Sequence, residues 1–177
     1  GAKNYSILAS HVLVPPAMEA ILSDPDTVVN AFLAAGHVCT IMGTEEYDPI
    51  AAKYHVPIVV TGFEPIDLLQ GIYMAVRQLE EGIAKVENQY IRVVQREGNQ
   101  LAQEAIGKVF AVSDRDWRGI GTIPFSGWEV NKNYQPYNAR KKFNLGPMES
   151  KENPSCMAGE IMKGKMKPYN CPHFGKG

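Results

Sequence analysis

The residues able to carry chemistry fall into two groups along the chain. The first surrounds three short turns, Ser10-His11, Gly36-His37 and Gly62-Phe63-Glu64, with Asp67 close behind the last. Each turn follows an apolar run that reads as a strand, and in open parallel sheets ligands bind outside the carboxyl ends of the strands. His11, His37, Glu64 and Asp67 are therefore expected to share one crevice. Two imidazoles and two carboxylates there could bind a metal, relay protons or contact a polar partner. A plainer role is open to the same residues: the histidines cap neighbouring helices and the acids complement helix dipoles. Glycines at two of the turns favour close approach of a ligand or of backbone.

The second group lies near the carboxyl end. Fourteen residues separate Cys156 from Cys171, and a proline follows the second cysteine directly. The segment around them is short of large apolar residues, and small irregular segments of this kind are commonly held by a metal or a cluster. Lys163, Lys165, Lys167 and Lys176 would offset the negative charge of a thiolate-bound group. The spacing is too wide for a zinc knuckle, and two thiolates cannot complete a tetrahedral site. On spacing alone the pair is either part of a metal or cluster site or incidental. The third cysteine, Cys39, sits beside Val38, Ile41 and Met42 and reads as a small core residue.

The elements that must position these groups follow from the apolar pattern. Tyr5 with Ile7–Ala9, residues 28–33 and residues 57–61 read as three strands, the last β-branched and continuous as a strand buried on both faces should be. Pro15-Pro16 opens a helix, and residues 39–54 hold another. Pro65 begins the clearest helix, with Leu69, Ile72, Val76, Leu79 and Ile83 at steps of three and four and Asp67 in the first turn. Asn99 is the expected N-cap of a further helix striped by Leu101, Ala102, Ala105, Ile106 and Val109. Alternation of strand and helix predicts an α/β fold, a parallel sheet flanked by helices, over residues 1–112. A β-hairpin or meander is expected over 113–145, and an irregular basic tail rich in Cys, Pro and Gly over 146–177.

Composition excludes several classes. The 177 residues are 45% hydrophobic and 21% charged, which supports a packed core rather than disorder. The net charge of −1 argues against a nucleic-acid binder, although it hides a division. Residues 1–130 carry nine basic and sixteen acidic side chains, whereas 131–177 carry nine basic and three acidic, so the tail is expected to pack against the acidic body. The longest run without a charged residue, Thr27 to Thr44, contains Asn30, His37 and three internal turn or polar signals, and does not read as a membrane span. No signal peptide opens the chain and three cysteines suit a reducing cytoplasm. The chain begins without Met and stops six residues past a cysteine, as expected of a piece of a longer protein. Signatures of a dinucleotide site, a P-loop and a Gly-x-Ser-x-Gly hydrolase are absent.

Several strings stand in a telling order: Gly36-His37-Val38 with Ile41-Met42-Gly43, then Gly62-Phe63-Glu64-Pro65 with Asp67-Leu68-Leu69. Glu87-Asn88-Gln89-Tyr90 with Arg92-Val93-Val94 and Glu97-Gly98-Asn99 comes next. Trp117-Arg118-Gly119-Ile120-Gly121, Ile123-Pro124 and Ser126-Gly127 follow, and last Ala158-Gly159-Glu160 with Cys171-Pro172 and Phe174-Gly175. In this order the chain resembles the carboxyl-terminal part of the HypD-type [NiFe]-hydrogenase maturation factors.

The resemblance implies a metallocentre assembly scaffold rather than a turnover enzyme. It would build the Fe(CN)2CO iron group with a HypC-type chaperone and a HypE-type cyanide donor in the cytoplasm, and carry a [4Fe-4S] cluster. On that reading Cys156 and Cys171 match cluster cysteines, and the turns holding His37 and Glu64 face the iron-binding and chaperone-docking cleft. The family's amino-terminal Cys-Gly-Gly-His and Gly-Pro-Gly-Cys-Pro-Val-Cys motifs, whose cysteines the resemblance associates with iron binding and redox chemistry, are not in this sequence, and further cluster cysteines are expected beyond Gly177. The chain alone is therefore not expected to assemble the iron group, and is expected to hold at most one α/β domain and half a cluster site. The alternatives are a free-standing α/β enzyme acting on a small polar substrate with His11, His37 and Glu64, and an interaction domain using the basic tail.

Overall fold

The structure, a computed structural model, describes residues 2–146, 153 and 155–176; the tail residues 147–152 and Pro154, like both terminal glycines, lie outside them. The chain divides into two compact units, Val29–Ala105 and Gly1–Val28 with Ile106–Gly177.

The first of these is the α/β unit. Strands β1 (Phe32–Ala35), β2 (Ile58–Thr61) and β3 (Val86–Asn88) form a parallel sheet in that order, with Phe32 opposite Ile58 and Ile58 opposite Val86. All four residues of β2 are buried, as its continuous β-branched run requires of a central strand. Helices α2 (Gly36–Met42), α3 (Asp48–Tyr54) and α4 (Pro65–Glu81) connect the strands. The single helix expected over 39–54 is two, because Gly43 takes φ 80° and ψ −162° between them, a conformation closed to a helix. Pro65 and Asp67 start α4 as expected, and Gly82 in the left-handed region ends it. Helix α5 (Gln100–Val109) is capped by Asn99, whose Oδ1 accepts from the Ala102 amide at 3.0 Å, and the boundary between the units falls within it.

Helix α4 turns an unexpected face inward. Leu69, Ile72, Val76, Leu79 and Ile83 are all exposed, whereas Asp67, Gly71, Ala75 and Gln78 are buried. The helix packs on β1 and β2 through its small stripe, and a Cβ on Gly71 would overlap the Thr61 methyl. Gln78 is fully buried without penalty because its amide donates to Glu87 at 2.7 Å and its oxygen accepts from the Lys85 amide at 3.0 Å. Close backbone approach and polar ties thus replace the expected apolar face.

The second unit is built on an antiparallel hairpin, β4 (Phe110–Trp117) and β5 (Gly121–Val130), with a register irregularity between Ser113 and Arg115. Helix α1 (Val14–Leu22) starts on Pro15-Pro16 and packs on β5 through Ala17, Met18 and Ile21. The strand expected at the amino terminus is not part of the parallel sheet. Ile7 instead bridges Asn138 and Val12 bridges Gly127, because backbone groups of residues 7–13 find partners at Tyr137, Ala139, Ser126 and Trp128. The third strand of the sheet is β3, which carries one apolar residue, Val86, and offers little periodicity to read. Short helices α6 (Ala139–Lys142) and α7 (Ala158–Met162) complete the unit. Tail lysines pair with the turn after α1: Lys163 lies 2.6 Å from Asp24 and Lys165 3.0 Å from Asp26.

Candidate functional site

The carboxyl ends of the three strands bring one polar cluster together within the α/β unit. β1 runs into Gly36-His37, β2 into Gly62-Phe63-Glu64 and β3 into Gln89-Tyr90. The His37 and Phe63 rings lie 5.0 Å apart, both exposed. Behind them Asp67, in the first turn of α4, accepts two bonds from Arg92, at 2.8 Å to Oδ1 and 2.6 Å to Oδ2. Arg92 also donates to Glu64 at 3.2 Å and stacks over the Tyr90 ring at 4.5 Å. Gln89 donates to Asp67 at 2.9 Å and to Gln70 at 2.7 Å. The Asp67 side chain is 5% exposed, Arg92 47% and Glu64 77%, so Asp67 forms the floor and Glu64 the rim.

This arrangement assigns roles. Hydrogen bonds from Arg92, then from Gln89, hold the Asp67 carboxyl at about 2, below its ordinary 3.8, and Asp67 in turn pushes the Arg92 guanidinium up. Asp67 stays ionised at neutral pH and positions Arg92 rather than moving protons. His37, Phe63, Glu64 and the exposed part of Arg92 remain for a ligand or partner. The ion pair favours the folded chain fully above the unfolded carboxylate value and loses that effect as pH falls from 3.8 towards about 2. Urea midpoints should therefore drop less across this window in Asp67→Asn than in the parent chain, and equal drops would contradict the assignment.

Of the residues expected at this crevice, the structure unites His37, Glu64 and Asp67. His11 belongs to the hairpin unit, because its segment pairs there and not with the sheet; its ring packs edge-on against Phe110 at 5.6 Å. Gln89, Tyr90 and Arg92 take up the third strand end. They follow a strand too short and polar to be read from periodicity, and the requirement for a strand after α4 was the available signal.

A second candidate site lies within the hairpin unit. Cys156 and Cys171, both free and half-buried, line one cavity of about 520 Å³ with Asp116, Trp117, Arg118 and His173. Turns fix both cysteines: the Cys156 amide donates to Asn153 at 2.8 Å and the Cys171 amide to Pro168 at 3.0 Å. His173 Nε2 lies 2.7 Å from the Ser155 hydroxyl. The Trp117 indole donates to Ser126, itself fully buried, at 2.8 Å and so forms a fixed wall. Two cysteines lining one cavity are the residue type that a thiolate-held cluster takes as ligands, while among the described residues no group of three or more His, Cys, Asp and Glu is arranged to hold a metal ion. Cys39 is fully buried 3.9 Å from the Tyr47 hydroxyl, and burial pushes its thiol up, as befits an inert core residue.

The chain thus combines a parallel α/β unit carrying a polar strand-end cluster with a hairpin unit in which two free cysteines line one cavity. A family described as "HypD: Hydrogenase formation hypA family" matches residues 1–177, and the chain belongs to this HypD family. It is 44% identical over 174 residues to "Hydrogenase maturation factor HypD" of Escherichia coli K12, covering 98% of this chain and 47% of that protein. It is 40% identical over 180 residues to "Hydrogenase maturation factor HypD2" of Bradyrhizobium diazoefficiens, covering 98% and 47%. "Hydrogenase expression/formation protein HupD" of Azotobacter chroococcum is 40% identical over 181 residues, with 99% and 48% covered. The chain spans about half the length of these relatives. No helix among the described residues is long and apolar enough to cross a membrane.

Proposed function

We propose that this chain is part of a cytoplasmic hydrogenase maturation scaffold, one that assembles the Fe(CN)2CO iron group with a HypC-type chaperone and a HypE-type cyanide donor. The observation that carries the reading is that Cys156 and Cys171 line the same cavity in a chain of the HypD family. The two thiolates would supply two ligands to a [4Fe-4S] cluster, with the remaining ligands outside the described residues. Such a cluster, when bound, supplies one-electron chemistry to the assembly.

The protein's own residues do the holding. The turns at Asn153 and Pro168 hold the backbone of Cys156 and Cys171, and Trp117 forms part of the same lining. Separately, Arg92, fixed by Asp67 and half exposed, bonds Glu64 at the strand ends, where His37 and Phe63 are also exposed, a surface suited to a partner with polar and aromatic contacts. A saturated Asp67 favours this holding role over acid–base turnover by the same cluster.

The test is a chimera in which this chain replaces the matching half of the E. coli relative, expressed in cells lacking that relative. Restored hydrogenase activity is expected. A soluble, folded chimera that restores none would overturn the proposal.

A further inference from the structure

Two glycines, Gly119 beside Arg118 and Gly159 beside Ala158, adjoin residues that line the cysteine cavity. Gly119, in the turn between β4 and β5, has φ +77°, and Gly159 is buried in α7, three residues after Cys156. A Cβ on Gly159 would overlap the Gly119 carbonyl oxygen and come within 2.9 Å of its carbon. A Cβ on Gly119 would overlap the Gly159 amide nitrogen and lie 2.9 Å from its Cα. Each glycine therefore meets the backbone of the other, and neither obstacle is a flexible side-chain end that could swing away. The turn itself is fixed, since the Ile120 amide donates to Trp117 at 3.0 Å and Trp117 is anchored on buried Ser126.

We propose that Gly119 and Gly159 are positioning residues of the cysteine site: their backbone-to-backbone contact sets Cys156 against the wall that Trp117 and Arg118 form, and with it the spacing of Cys156 from Cys171 in the shared cavity. The inference rests on the cluster reading above and deepens it. Contact without side chains leaves no slack, so a single methyl at either glycine forces the turn and α7 apart. Helix α7 begins two residues after Cys156, so its displacement moves that cysteine, whereas the Cys171 amide is held by its own turn at Pro168. The consequence is a change in the spacing of the thiols ahead of any loss of fold.

Gly159→Ala is the sharper variant, because Gly159 sits in a helix where alanine carries no backbone strain. Gly119→Ala adds the strain of a positive φ. Gly107→Ala, in α5 with nothing within 4 Å of an added Cβ, is the matched control. The chimera and its three variants are reconstituted anaerobically with iron and sulfide, and bound iron, acid-labile sulfide and the sulfur-to-iron charge-transfer absorption are read together with circular dichroism and melting temperature. The expected result is loss of most bound iron and of the absorption band in Gly159→Ala and Gly119→Ala, with circular dichroism unchanged and Gly107→Ala loading as the parent does. Full loading of folded Gly159→Ala would overturn the inference and leave the cluster reading standing. A folded parent chimera that loads no iron would overturn the cluster reading and the inference with it. Should Gly119→Ala fail to fold, Gly159→Ala decides, and unfolding of both would itself overturn a positioning role in favour of a purely structural one.

Discussion

Alanine in place of Cys156 or Cys171 is expected to reduce hydrogenase activity in chimera-complemented cells to background, with the amount of soluble chimera unchanged. Both thiols are half-buried at a cavity wall, so their removal leaves the core intact while deleting a ligand position. Cys39→Ala is the contrasting change. It removes a fully buried sulfur from the α/β unit and is expected to lower stability while leaving maturation active. Activity of the Cys171→Ala chimera at the parent's level would show that the pair is incidental. The contrast works because the three cysteines, alike in sequence, differ in burial and in what they face.

The second large effect is on stability. Gly43→Ala is expected to destabilise the α/β unit by about 2–4 kcal/mol, from a backbone conformation closed to alanine and from collision with neighbouring backbone. Gly43 lies at φ 80° and ψ −162°, and a Cβ there would strike the Arg96 carbonyl and come within 2.8 Å of Gly98. The same place ties two loops together, with the Thr44 amide donating to Arg96 and the Asn99 amide to Ile41, each at 2.9 Å. Gly82→Ala also needs a positive φ but meets nothing within 4 Å, and its expected cost is about 1 kcal/mol. Chemical denaturation of the two variants separates strain from collision. Equal midpoints would show that the loop contact at Gly43 contributes nothing.

The α/β character was legible because β2 is an uninterrupted β-branched run and α4 has a proline and an acid in its first turn, although its apolar stripe runs to Ile83, one residue past Gly82, where the helix ends. Much of the strand-end site was legible for the same reason, since Gly36-His37 and Gly62-Phe63-Glu64 follow β1 and β2. The rest failed on two physical points. An amphipathic pattern announces a helix without saying which face turns inward, and α4 packs through Gly71 and Ala75 because the sheet approaches closely. Likewise, Ile7 and Val12 have strand character, but pairing is decided by partners distant in sequence, here Asn138 and Gly127. The loss of the expected first strand moved His11 to the other unit and left the third strand end to Gln89, Tyr90 and Arg92. The cysteine pair was legible as residues; its shared cavity was not, because Trp117 and Arg118 come from a hairpin nearly forty residues upstream of Cys156.

The most direct test of the central claim is the iron and acid-labile sulfide content of the purified chimera after anaerobic reconstitution. About four of each per chain, lost on Cys156→Ala and on Cys171→Ala, is the expected result. Folded chimera that holds no iron, or holds the same amount without either cysteine, would contradict the account.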